Sequence, residues 1–448
     1  MRIRERVVRQ AITVLCSMGL AMVPLASSAP AQTAGQHWVA TWAASPQPRA
    51  GGPPRAAQPG AKGNPPAAPA ARANAPAPIT SFHNQTIRMT VPVSIAGTRV
   101  RVEFSNAYGT QALAIGGAHV AISQGNGVID PKSDRELKFG GETSFSIPPG
   151  AMAVSDTVEL TVPKLSELAV SVFVPDEVSV LTMHGTGLHT TYITNGETLS
   201  IPSVSDVPTS NSWYFLSSVD VLAPASDGLI VAFGDSITDG ATSTNNANKS
   251  WPSQLAARLE ANPATAHLAI VNQGISGNRV LRDGTGTNAL ARFDRDVIAQ
   301  PGVKWVMILE GINDIGNASR ANFEGENNVT AGDLIGGMKQ LIERAHMHGI
   351  KVIGCTLTPY KGAGYYSDKG EEIREAYNNW IRTGRAFDAV VDFDKATQDP
   401  ADPKQIRPDF NIRDHLHPND AGYKAMADAV NLAIFAPGSG RASVAKKK

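Results

Sequence analysis

The 448-residue chain is 42% hydrophobic and 18% charged, which excludes global disorder and exceeds the length of one average domain. Its 40 Lys plus Arg balance 40 Asp plus Glu, so no net charge favours nucleic acid as a partner. Two cysteines exclude both a disulfide scaffold and a four-cysteine zinc site.

Residues 1–31 read as a signal peptide. Arg2, Arg4, Arg6 and Arg9 precede a short apolar run, Ala11 to Leu25, which ends near the small residues Ala29-Pro30-Ala31. The run is too short for a membrane-spanning helix and is broken by Ser17 and Pro24. Its removal takes away four Arg, one Glu and Cys16, leaving a net charge near −3 and Cys355 as the sole thiol. Cys355 sits in an apolar run, Val352-Ile353-Gly354-Cys355, and reads as a buried strand residue. The expected location is secreted or periplasmic, with no stable membrane insertion after cleavage.

Residues 32–226 read as a β domain. Residues 46–78 are an Ala/Pro-rich insert without hydrophobic period, expected to be disordered. From Ile79 to about Leu222, short alternating runs such as Thr86 to Val91, Arg99 to Phe104 and Val158 to Val162 predict antiparallel strands packed as a sandwich. Trp38, Trp42 and Trp213 read as core residues rather than a sugar platform, and His184 and His189 have no evident partner.

At Gly228 the pattern changes, and residues 227–437 read as a second domain. Continuous apolar runs at Leu229–Phe233, Leu268–Val271, Trp305–Leu309, Val352–Thr356 and Ala389–Phe393 predict strands buried on both faces. Helical patterns at 251–260, 331–348, 371–383 and 421–435 alternate with them, so the fold class is α/β with a doubly wound parallel sheet. His346 and His348 are expected to meet the terminal carbonyls of their helix. Residues 438–448 read as a frayed tail.

Ligands of such sheets bind beyond the carboxyl ends of the strands. The residues there are Gly234-Asp235-Ser236, then Gly274-Ile275-Ser276-Gly277, then Gly311-Ile312-Asn313-Asp314, with Asp414-His415-Leu416-His417 before the last helix. Ser236 is a candidate nucleophile, His417 its base and Asp414 the acid that orients the imidazole. The N–H groups of Ser236 and Gly277 and the amide of Asn313 are candidate oxyanion donors. Taken singly, each has a plainer reading: Ser236 a helix N-cap, Gly311 to Asp314 a turn, Asp414 a cap and His417 a loop histidine. A metal site at Asp414, His415, His417 and Asp420 is the rival, but no H-E-x-x-H or second histidine cluster supports it. Arg279, Arg282 and Arg292, near Gly284-Thr285-Gly286, read as a solvated loop and helix face. No G-x-S-x-G, P-loop or G-x-G-x-x-G is present.

These four blocks, in this order and spacing, resemble the SGNH (GDSL-type) hydrolase family over about Gly228 to Phe435. The resemblance implies a flavodoxin-like fold, with Ser236 as nucleophile, Gly277 and Asn313 as oxyanion donors, and Asp414 and His417 completing a triad. Trp38 to Pro46 and Ser105-Asn106-Ala107-Tyr108-Gly109 resemble the N-terminal β domain of a secreted bacterial branch of these esterases. The expected activity is hydrolysis of short acyl esters without a cofactor, with acetylated carbohydrates favoured as substrates. A lysophospholipase or arylesterase of the same fold, and a catalytically idle glycan-binding surface protein, are the alternatives.

Overall fold

The computed structural model describes residues 35–49, 79–318 and 329–436. Residues 1–31, expected to be a signal peptide, residues 50–78 of the insert and the tail 438–448 lie outside the described residues.

Period-two alternation does the work expected of it in the first half. In the strand Gly97–Ser105, Val100, Val102 and Phe104 point inward, while Arg99, Arg101 and Glu103 are half-buried. Val158–Val162 buries Leu160 and Val162 in the same way. Antiparallel pairing gathers the described strands into two larger sheets, beside a three-stranded and a two-stranded one. The five-stranded one runs Gln36–Ala43, Leu216–Pro224, Gly97–Ser105, Met152–Val154, with Val158–Val162 also on Gly97–Ser105. The seven-stranded one is centred on Gln85–Pro92 and Glu167–Val174. Both contribute to one apolar core.

Two local expectations are corrected. Gln85–Pro92 is not half-buried but covered on both faces, because loops close over Arg88. Its guanidinium donates to Ser171 Oγ at 3.0 Å and to the carbonyls of Gly127, Leu199 and Ile201. The insert also begins later than composition suggests: Gln47–Pro48 is a short strand on Thr182–His184.

From Gly228 the strands are parallel. Their order is Leu268–Gly274, Gly228–Gly234, Val303–Leu309, Lys351–Cys355, Ala389–Val391, that is second, first, third, fourth, fifth. This is the flavodoxin-like order, with a crevice where the winding reverses beside the first strand. The helices Trp251–Ala261, Ala331–Met347, Asp368–Thr383 and Asp420–Ala429 lie in the connections or follow the last strand. Their ends differ from the periodicity where local hydrogen bonds intervene. Ser367 caps the third of these by accepting from Gly370 N, so that helix starts three residues before Glu371. The last ends at Ala429, because the Asn431 side chain accepts from Ala433 N and opens a separate 3₁₀ turn, Leu432–Phe435.

The change of architecture near residue 227 is not a break in packing. The described residues cluster as one compact unit, and the core runs continuously from the antiparallel sheets into the parallel one. The outer parallel strand Leu268–Gly274 is the contact surface. Ile270 N donates to Ser94 Oγ at 3.2 Å. No helix among the described residues is long and apolar enough to cross a membrane.

Candidate active site

The first parallel strand ends at Gly234, and a one-turn helix, Ser236–Asp239, follows at once. Asp235 caps it, accepting from Ile237 N at 2.9 Å. Gly240, left-handed at φ 96°, ends it. The turn is tight because backbones crowd it. A Cβ on Gly234 would lie 2.2 Å from the carbonyl oxygen of Leu309, and one on Gly274 would lie 2.2 Å from Asp239 N. Three strand ends thereby converge beneath Ser236, which is 6% exposed.

His417 reaches Ser236 from 181 positions away. Its Nε2 is 2.8 Å from Ser236 Oγ, and its Nδ1 is 2.6 Å from Asp414 Oδ2. A carboxylate only accepts, so Nδ1–H donates to Asp414 and Nε2 is left to accept the serine hydroxyl. The other Asp414 oxygen accepts from the backbone N–H of Leu416 and of His417. Burial opposes the Asp414 charge, but the hydrogen bonds from His417 and these N–H groups outweigh it and hold its pKa at about 2. The segment after the Ser236 helix clasps this loop. Thr242 donates to Pro418 O at 2.8 Å, Thr244 binds both oxygens of Asp420, and Tyr423 OH donates to Ala241 O at 2.7 Å.

Gly277 is left-handed at φ 81°, and a Cβ there would lie 2.9 Å from Thr285 Oγ1. Asn313 sits in the first turn of the helix Ile312–Ala318, its Nδ2 donating to Asn278 O at 3.0 Å and its Oδ1 accepting from Tyr365 OH at 3.4 Å. Asp314 ties the two loops together by accepting from Val280 N and Leu281 N, at 2.8 and 3.1 Å. Ser236 is the first residue of its helix, where a backbone N–H has no intrahelical acceptor. The residues expected to meet, Ser236, Gly277, Asn313, Asp414 and His417, are thus each held by elements that close on the crevice.

Beneath them lies a buried charge cluster that sequence reading misses. Arg292, expected on a solvated face, is 1% exposed, and Arg279 is also buried. Burial pushes Asp235 up to about 7 and Asp314 up to about 6; Glu310, with neither oxygen hydrogen-bonded, lies well above the usual carboxylate range for the same reason. Arg292 Nη2 approaches Glu310 Oε2 at 3.5 Å. Asp235 and Asp314 were legible as parts of their motifs, though not as supports; for Arg292 no local pattern signals burial.

The histidine expectations are corrected. His184 does have a partner: its Nε2 lies 2.9 Å from Asp239 Oδ1. His189 Nε2 lies 3.6 Å from Glu167. His346 turns from its helix end to Asp388, 2.8 Å away, since a carboxylate across the loop competes with the carbonyls. Trp42 and Trp213 are buried, edge to face, and burial pushes the Cys355 thiol up. Among the described residues, no three His, Cys, Asp or Glu side chains gather as metal ligands, so His415 and Asp420 do not join Asp414 and His417 in such a group.

Residues 230–430 match the family described as GDSL-like lipase/acylhydrolase. No curated protein matches the chain significantly. Among solved structures, the chain is similar to a GDSL-like lipase from Bacteroides thetaiotaomicron VPI-5482, at 22% identity over 46% of this chain and 87% of that one, with a TM-score of 0.34. It is similar to an acetyl xylan esterase variant from Geobacillus stearothermophilus, at 24% identity over 45% and 92%, with a TM-score of 0.37. It is also similar to LAE5, an alpha/beta hydrolase enzyme from the metagenome of Lake Arreo, Spain, at 23% identity over 45% and 92%, with a TM-score of 0.36. Residues 230–430 are thus a GDSL-like lipase/acylhydrolase domain, which supports a serine ester hydrolase.

Proposed function

We propose that the protein is an exported esterase that removes short acyl groups, acetyl above all, from carbohydrates, with Ser236, His417 and Asp414 as its catalytic triad. The observation that carries the triad is the pair of hydrogen bonds at 2.8 and 2.6 Å on the two nitrogens of His417. Export rests on the character of residues 1–31.

The reaction follows from the geometry. Ser236 Oγ bonds to the ester carbonyl carbon as its proton passes to His417 Nε2. Asp414, ionised down to about pH 2, stabilises the imidazolium. The carbonyl oxygen becomes an oxyanion, met by Ser236 N–H, Gly277 N–H and an amide N–H of Asn313. The carbon–alkoxy bond then breaks, and His417 returns the proton to the leaving alcohol. Water adds to the acyl-serine, giving a proton to His417; the acyl–Oγ bond breaks, and Ser236 regains its hydrogen. No cofactor enters these steps.

A bulky polar alcohol suits the open side of the site. The side chains of His417 and Asp414 are 20% and 37% exposed, so a sugar leaving group has room to extend outward. Thr285 lies close to Gly277, where an added Cβ would be 2.9 Å from its Oγ1, and a short acyl group is the reading consistent with so crowded a loop. The test is hydrolysis of p-nitrophenyl acetate, acetylated xylooligosaccharides and p-nitrophenyl palmitate by the parent and Ser236→Ala. Equal rates in both proteins remove the enzyme assignment. A preference for palmitate overturns the short-acyl reading.

A further inference from the structure

Asp239 closes the short helix that Ser236 opens, and it is bound from two sides. Its Oδ2 accepts the backbone N–H of Ser276 at 2.9 Å and the Ser276 hydroxyl at 2.7 Å. Its Oδ1 lies 2.9 Å from His184 Nε2, and His184 Nδ1 lies 3.0 Å from the carbonyl oxygen of Ser45. His184 and Ser45 come from the antiparallel half, Asp239 and Ser276 from the parallel half. The side chains of His184 and Asp239 are each 3% exposed, so water does not compete for these bonds.

The donors and acceptors fix the charge. A backbone carbonyl only accepts, so His184 Nδ1 carries a hydrogen. Asp239 Oδ2 accepts twice from Ser276, as an ionised carboxylate does; with Oδ1 ionised too, it accepts from Nε2, which then carries a hydrogen as well. His184 is therefore an imidazolium paired with a carboxylate. Burial opposes that charge, but the attraction and hydrogen bond of Asp239 and the bond to Ser45 outweigh it.

Ser276 immediately precedes Gly277. We propose that His184 is a positioning residue for ester hydrolysis: through Asp239 and Ser276 it holds the turn 275–278 so that Gly277 N–H stays aimed over Ser236. The antiparallel half thus completes the site it packs against. A second tie from that half reaches the same loop, with Tyr108 OH 2.8 Å from Thr287 Oγ1. The inference rests on Ser236 being the nucleophile.

The test uses the full chain and p-nitrophenyl acetate. His184→Ala and Asp239→Ala each lower kcat about 10- to 100-fold with KM within about threefold, because the turn loosens without losing a substrate contact. The double variant is no worse than either single one, since both break the same chain of bonds. Asp239→Asn is the discriminating variant. Its Oδ1 accepts from Ser276 while its Nδ2 donates to a neutral His184, so kcat falls no more than about threefold. Ser276→Ala, which removes only the hydroxyl, lowers kcat roughly threefold to tenfold and serves if His184→Ala does not fold. Parental kcat in His184→Ala or Ser276→Ala overturns the proposal, as does Asp239→Asn damaged as badly as Asp239→Ala. Nitrogen-15 NMR of the His184 ring at pH 7 reads the ion pair without turnover. A ring with one bare nitrogen overturns the imidazolium assignment, unchanged kcat in the His184 and Ser276 variants overturns the relay, and full activity in Ser236→Ala overturns the reaction itself.

Discussion

Arg292 donates from Nη2 to the carbonyl oxygen of Gly234 at 2.9 Å, two residues before Ser236. The same guanidinium binds Asn278 Oδ1 through Nε, and Ser45 Oγ, Gln273 O and Asp296 through Nη1. It also lies over the Phe233 ring, 3.9 Å from its centroid. One planar fork therefore joins the first strand, the second strand, the loop that carries Gly277 and the antiparallel half. Lysine has a single nitrogen and cannot span these acceptors. Arg292→Lys is expected to lower stability by at least about 3 kcal/mol, since buried acceptors and carboxylates lose their partner. Urea denaturation measures it, and a loss below about 1 kcal/mol would contradict this account.

The Asn313 amide is oriented by Tyr365 on its oxygen and Asn278 on its nitrogen. If it meets the oxyanion, Asn313→Ala lowers kcat about 10²- to 10³-fold and leaves KM nearly unchanged. Steady-state kinetics on p-nitrophenyl acetate decide it; an unchanged kcat removes Asn313 from the oxyanion hole.

Asp414→Asn preserves shape but presents a different hydrogen-bonding face to His417 Nδ1. The imidazole then no longer keeps Nε2 as the acceptor, and kcat is expected to fall on the order of 10⁴-fold. Raising the pH to 9 does not restore it if the tautomer is the cause. A loss smaller than tenfold would show that the 2.6 Å contact does not set the ring.

Asp235 and Asp314 have folded pKa values raised to about 7 and about 6. Unfolded, they release their protons near pH 4, so the folded state binds more protons between about pH 4 and pH 7. Stability therefore falls as pH rises through that window and levels off above it. His184, also raised, adds to the same trend as pH rises through its folded pKa. Asp414, depressed to about 2, acts with the opposite sign, but only below about pH 4. The expected fall from pH 5 to pH 8 is at least about 2 kcal/mol. Urea midpoints measured across that range test it, and a midpoint that rises with pH contradicts it.

Two glycines separate close approach from indifference. Gly336 lies in the helix Ala331–Met347 with nothing within 4 Å of where an added methyl carbon would sit, whereas Gly234 would place that carbon 2.2 Å from Leu309 O. Gly336→Ala is expected to raise stability by about 0.5–1 kcal/mol through helix propensity. Gly234→Ala is expected to lower both stability and turnover, because the strand ends must part beneath Ser236. Thermal melts of the two variants should move in opposite directions.

Continuous apolar runs located the central parallel strands, since a strand buried on both faces must be apolar throughout: Leu229 to Phe233 and Leu268 to Val271 lie where the pattern places them, whereas the edge strand Ala389–Val391 leaves Val390 exposed and stops before Phe393, which opens a helix. The blocks around Ser236, Gly277, Asn313 and His417 were equally legible, because tight turns and reactive groups demand particular residues at particular points. Arg88 and Arg292 were not, since a charged side chain signals exposure unless distant carbonyls and carboxylates close around it. The pairing of His184 with Asp239 was hidden for a related reason: its members lie 55 positions apart, on an antiparallel strand and a one-turn helix. Residue type and spacing determined which groups can react and which strands can be buried. Only the packing of the antiparallel half against the outer parallel strand decided which charges are desolvated and which turns are held, because both depend on neighbours that the linear order does not contain.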